Sequence, residues 1–143
     1  MSNVLSNQQA RVNLSSSRER MRSVALWTMQ GALALLFLFT GGSKLLLPTN
    51  VLLAQMALPL PIWFLRVIGV VEVAGALGLI LPQLTHIKPG LTPLAAGGLA
   101  LEMLGATIVT VIALGVAPAL FPLLVGVLAV FVVYGRGRRW RSA

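Results

Sequence analysis

Cysteine is absent from this 143-residue chain, and histidine occurs once. Without cysteine there are no disulfides, no thiolate metal sites and no dithiol redox relay. A lone histidine, His86, excludes a bis-histidine haem held within one chain. No metal and no covalent cofactor is expected, so any redox chemistry belongs to a bound molecule or a partner. Acidic residues are also scarce, at three against 11 basic ones. Charged residues of both signs make up 10% of the chain, where a soluble domain carries roughly 25%. Together with 57% hydrophobic residues, this describes an integral membrane protein. The length allows one domain, with its core formed by helix against helix in lipid.

What charge there is lies at the ends. Arg11, Arg18, Arg20 and Arg22 precede the first apolar run, and Arg136, Arg138, Arg139 and Arg141 follow the last. Basic residues flanking apolar helices set membrane topology and attract anionic lipid head groups. The net charge of +8 therefore reads as a membrane signal, and nucleic acid is not expected as a partner.

Apolar runs and their breakers divide the chain. Residues 1–22 are polar and basic and read as a tail. Ser15, Ser16 and Ser17 followed by Glu19 offer a cap for a short amphipathic helix. The four-helix membrane domain, 23–135, comprises spans at about 23–42, 62–81, 91–114 and 119–134. Residues 136–143 form a basic C-terminal tail. The first span has no small-residue cleavage site after it, so it is read as a retained anchor rather than a signal peptide. Pro48, Pro59 and Pro61 interrupt the first loop. Within it a short helix capped by Asn50 and running through Ala57, with Leu52, Leu53 and Met56 on one face, is too short to span and suits the interface. Trp27, Trp63, Tyr134 and Trp140 stand at the span ends as interfacial aromatics. A connection at 115–118 separates the last two spans. The expected fold is all-α: a four-transmembrane-helix bundle with that interfacial helix in its first outer loop. Four spans put both termini on one side, and the count of Lys and Arg places them in the cytoplasm.

Two of the three acidic residues lie inside these spans. Glu72 and Glu102 each sit about 15 Å from a helix end, at a rise of ~1.5 Å per residue, near the middle of a ~30 Å hydrocarbon layer. An ionisable group at that depth is costly, faces the bundle interior and is a functional candidate. Gly69 and Gly75 flank Glu72, and Gly98 and Gly105 flank Glu102, at the spacing that lets membrane helices pack closely. The two helices share a short linker, which brings the carboxyls to matching depth. Arg66 and Lys44 are the nearest cations, and Thr110 and Thr107 add hydroxyls on the outer half of the third span. Glu72, Glu102, Arg66, Lys44 and Thr110 thus define an expected ligand or proton pocket. The plainer reading makes the same groups an interhelical network that fixes packing, and Lys44 and Arg66 also lie where long side chains snorkel. Gly41 and Gly42 carry no P-loop spacing and read as a place of close helix approach.

Three stretches resemble the DoxX-like family of small four-helix bacterial membrane proteins: Phe39–Leu45 (FTGGSKL), Phe64–Pro82 (FLRVIGVVEVAGALGLILP) and Leu91–Ala106, which begins LTPLAAGGL and ends MLGA. The resemblance implies the same architecture, a bacterial inner-membrane location, and Lys44, Arg66 and Glu72 as the family's polar positions. Relatives often carry a histidine late in the third helix, where Thr110 roughly stands here. The family's link to quinone-dependent redox complexes implies a quinone as ligand, and a lipid is the other ligand expected.

Three readings follow. The first is an accessory subunit or small-ligand-binding module of a larger, quinone-linked complex, without catalysis of its own. Its partners would be membrane lipids and either other membrane subunits or further copies of itself. The second is a self-standing oxidoreductase or proton-coupled carrier using Glu72 and Glu102. The third is a scaffold only.

Overall fold

A computed structural model describes residues 1–56 and 58–141. Five helices follow one another: α1 (Ser2–Leu46), α2 (Thr49–Ala54), α3 (Ile62–Leu84), α4 (Leu91–Leu114) and α5 (Val116–Arg141). All but α2 are long and apolar enough to cross a membrane. No strand occurs among the described residues.

Helix ends fall where proline and glycine dictate. No glycine precedes Gly31 and no proline precedes Pro48, so nothing breaks α1 for 45 residues. The segment expected as a polar tail therefore continues as helix into the first span. At ~1.5 Å per residue α1 is roughly 67 Å long, about twice the hydrocarbon thickness. Residues 1–22 are all exposed, and Leu26 is the first buried one. Leu47 ends the helix in an extended conformation, φ −67° and ψ 144°, as expected of a residue before proline. Short helix α2 starts at Thr49 after Pro48, so Asn50 is not its cap. Only Leu52 of its expected face is buried, and the expected end at Ala57 lies outside the described residues. Helix α3 passes through Pro82 and stops two residues later, at Leu84. A proline so close to the end forfeits one bond of a helix that is finishing anyway. The linker then uses left-handed backbone at His86 and Lys88 (φ 56° and 47°). Pro93 falls in the first turn of α4, where no helical N–H is missed.

The connection between α4 and α5 is a single residue. Gly115 has φ 93° and ψ −176°, which L side chains rarely adopt. The expected loop at 115–118 thus shrinks to one glycine, and Pro118 is taken into the first turn of α5. Helix α5 also runs on through the expected basic tail to Arg141. Residues 142–143 and the side chain of Trp140 lie outside the described part.

The four long helices form a ring in which α1 packs on α3, α3 on α4, α4 on α5, and α5 back on α1. Leu33 and Phe37 of α1, Ala76 and Leu79 of α3, Ala96 and Leu99 of α4, and Val125, Ala129 and Val132 of α5 make the buried centre. Phe39, Leu101, Ile112 and Phe121 point outward and are exposed, the pattern of a bundle whose surroundings are as apolar as its core. Gly135 of α5 abuts Leu26 of α1, so the start of the first span and the end of the last share one end of the bundle.

Candidate functional site

Two glycines build the site. A Cβ placed on Gly41 would lie 2.8 Å from the Gly69 carbonyl oxygen and 2.9 Å from Cβ of Glu72. A Cβ on Gly69 would lie 3.0 Å from both the Gly41 carbonyl oxygen and Cβ of Lys44. The antiparallel helices α1 and α3 therefore touch backbone to backbone, with each glycine opposite the other helix's charged residue. Lys44 is one turn beyond Gly41 and Glu72 one turn beyond Gly69, which places each pair on one helical face.

At that crossing Lys44 Nζ donates to both carboxylate oxygens of Glu72, at 2.8 and 2.7 Å. The Glu72 side chain is 3% exposed and that of Lys44 19%. Thr40 Oγ1 stands 3.1 Å from Glu72 Oε1 as a second donor. Thr40 is four residues before Lys44, on the same face of α1. That spacing was the signal for it, though the expected pocket did not include it.

Arg66 takes a different place. Its guanidinium donates to the carbonyl oxygens of Lys44 (2.6 Å), Leu45 and Leu47 (3.0 Å). The last carbonyls of a helix have no intrahelical partner and carry partial negative charge. Arg66 satisfies them, closing the end of α1 and holding the backbone from which Lys44 projects.

Glu102 completes the polar layer from α4. Leu99 fills the space beside Gly75, and Ala95 that beside Gly78. Carried one turn further, this register sets Glu102 level with Glu72. Oε2 of Glu102 is buried and has no hydrogen-bond partner among the described residues. An unmet buried carboxyl oxygen is costly. Thr110 and Thr107 bond back to the carbonyls of Ala106 and Met103, each at 2.7 Å; they satisfy their own helix instead of joining this layer. Gly98 and Gly105 are exposed and meet nothing within 4 Å of where a Cβ would stand. Close packing on α4 comes instead from Ala95 and Leu99, seated against glycines of α3.

A second polar layer, unanticipated from the sequence, lies about 21 Å away along α1 at ~1.5 Å per residue. Gln30, fully buried, donates to the Leu79 carbonyl at 2.6 Å and accepts from Arg136 Nε at 2.7 Å. The Arg136 guanidinium lies 5.5 Å from the ring centre of Trp27, a cation–π geometry. Thr92 Oγ1 is buried nearer this end of α4 without a hydrogen-bond partner among the described residues. The apolar centre separates the two layers. No group of three or more potential metal ligands occurs among the described residues.

The sequence model of the DoxX-like family matches residues 28–132. That stretch holds the second and third spans whole, most of the first and last, and both polar layers except Trp27 and Arg136, and the chain belongs to the DoxX-like family. No curated protein matches it. No solved structure matches it either.

Proposed function

We propose that this multi-pass DoxX-like membrane protein is an accessory, small-ligand-binding module of a larger membrane complex. The ligand's polar head would bind at Glu102, beside the Lys44–Glu72 pair. One observation carries this reading: the buried, unmatched Oε2 of Glu102 next to a cation and carboxylate that already satisfy each other. A carboxyl group at bilayer depth without an internal partner is an invitation to a guest that supplies one. The guest enters from an apolar medium, so it is amphipathic, with a carbonyl or hydroxyl on an otherwise apolar body. A quinone has this form. Glu72 is held on both oxygens by Lys44, which argues against a two-carboxylate proton relay and for a fixed binding wall.

Orientation follows the charges. The basic residues of α1 and α5 gather at one end of the bundle. At the other end, Lys44 is paired with Glu72 and Arg66 is spent on carbonyls. The positive-inside rule then puts both termini in the cytoplasm, and the family resemblance suggests a bacterial inner membrane.

The test is quinone retained by the full chain after extraction from its source membrane, for wild type, Glu102→Gln and Glu102→Leu. Glutamine keeps a polar group for the head and is expected to retain the ligand. Leucine is expected to lose it about tenfold or more, the scale of one lost hydrogen bond to a buried polar group. Equal retention by all three proteins would overturn the reading.

A further inference from the structure

A second, independent feature lies on the other side of the ring. Helices α4 and α5 leave a groove of about 700 Å³ between them, within the ~300–1,000 Å³ typical of small-molecule sites. Ala100, Leu104, Val127 and Phe131 are among its walls. It faces the lipid and has almost no polar surface. Near the end where the first span starts and the last one finishes, the groove reaches Tyr134. There a smaller hollow of about 270 Å³ begins, sharing Phe131 and Tyr134 as walls. Its outer rim carries Arg22 of α1 and Arg138 of α5.

We propose that these two connected spaces form one site for an anionic phospholipid. The phosphate sits between Arg22 and Arg138, and an acyl chain lies down the α4–α5 groove. Charge complementarity selects the occupant. Two planar guanidiniums from different helices at the bundle's basic end favour an oxyanion that offers paired oxygens to each fork, such as phosphate. Basic hollows between membrane helices at the interface are where anionic head groups bind. The apolar trough running from that rim into the membrane requires a long apolar tail on the same molecule. Tyr134 and Trp27 mark the interface at this level, so head and tail meet at the depth where a lipid's own ester region lies. A second protein helix would fill the trough but would bring no anion to the arginines.

Native mass spectrometry of the full chain, released from nanodiscs of mixed phosphatidylglycerol and phosphatidylcholine, tests this. Wild type is expected to retain phosphatidylglycerol selectively. Two surface arginines are worth about 25-fold together at roughly fivefold each, so Arg22→Gln with Arg138→Gln should lower retention by about that factor. Arg11→Gln with Arg18→Gln makes the same charge change on the exposed part of α1 and should leave retention unchanged. Equal losses from the two pairs, or equal retention of the two lipids by wild type, would overturn the site. Val127→Trp fills the groove from its exposed wall with every arginine intact. It should release the lipid while the helical circular-dichroism signal stays at the wild-type level; undiminished retention refutes the tail's position. Glycerol phosphate in solution should not displace the lipid, and displacement would mean that the tail contributes nothing.

Discussion

Removing one member of the Lys44–Glu72 pair should hurt more than removing both. Lys44→Met leaves the Glu72 carboxylate, 3% exposed, with the Thr40 hydroxyl as its remaining hydrogen-bond partner among the described residues. Breaking a buried ion pair this way costs about 3–5 kcal/mol. The 19% exposure of the Lys44 side chain admits some solvent and puts the loss near the low end, at about 3 kcal/mol. The reverse change, Glu72→Leu, is milder. Lys44 lies close to the end of α1, and its long stem can carry the ammonium out to the head-group region. A loss of about 1.5 kcal/mol is expected there, below the ~3 kcal/mol floor for a partner that stays buried. The double variant replaces two charges by apolar side chains of similar size, which is often close to neutral. It gives up only the Thr40 contact, about 1 kcal/mol. The double should therefore fall short of the two singles added together by about 3.5 kcal/mol, well beyond the ~0.5 kcal/mol of independent sites. Reversible unfolding in mixed micelles at rising denaturing-detergent fraction, followed by circular dichroism, measures all four corners. Additive losses, or a larger loss from Glu72→Leu than from Lys44→Met, would refute the assignment of the pair as one buried electrostatic unit.

Neighbouring glycines should respond in opposite directions. Gly41→Ala forces atoms to within 2.8 Å of the Gly69 carbonyl oxygen and should destabilise by about 1–2 kcal/mol after its gain in helix propensity. Gly42→Ala meets nothing within 4 Å and should be neutral or stabilising by up to about 1 kcal/mol; the same unfolding assay separates them. Arg66→Gln removes a charged cap from three carbonyls and should cost about 2 kcal/mol. It should also raise amide hydrogen exchange around 44–50 while leaving α4 and α5 unchanged. Gly115→Ala imposes φ 93° and ψ −176° on a residue with a side chain and should cost about 1–3 kcal/mol, seen as a lower midpoint of thermal unfolding in detergent.

The spans were legible because proline and glycine punctuate long apolar runs. Leu91–Leu114 matches the expected bounds, and α3 differs only by the turn that carries Pro82. The 45-residue α1 was harder to see, because Ser, Asn and Arg composition suggested a tail. The telling fact was the absence of any breaker before Gly31. Depth was readable for Glu72 and Glu102, since rise per residue is fixed. Rotation was not, and rotation decides which glycines meet a neighbour. Gly69 and Gly75 do, whereas Gly98 and Gly105 face open space. The same limit hid Arg66's hold on α1, since those carbonyls belong to another helix and carry no residue signature. Gln30 is the one amide side chain in an apolar run. Only the ring closure that brings α5 back to α1 reveals that Arg136 answers it.

The single-residue joint at Gly115 also constrains how the chain is made. Two spans tied by one residue cannot be threaded into a bilayer one after the other, since there is no slack for the first to settle while the second waits. Helices α4 and α5 must enter together, as a hairpin. The bend itself offers almost no loop on its side of the bilayer, so a protease or labelling reagent there would find its targets in the segment between α1 and α3.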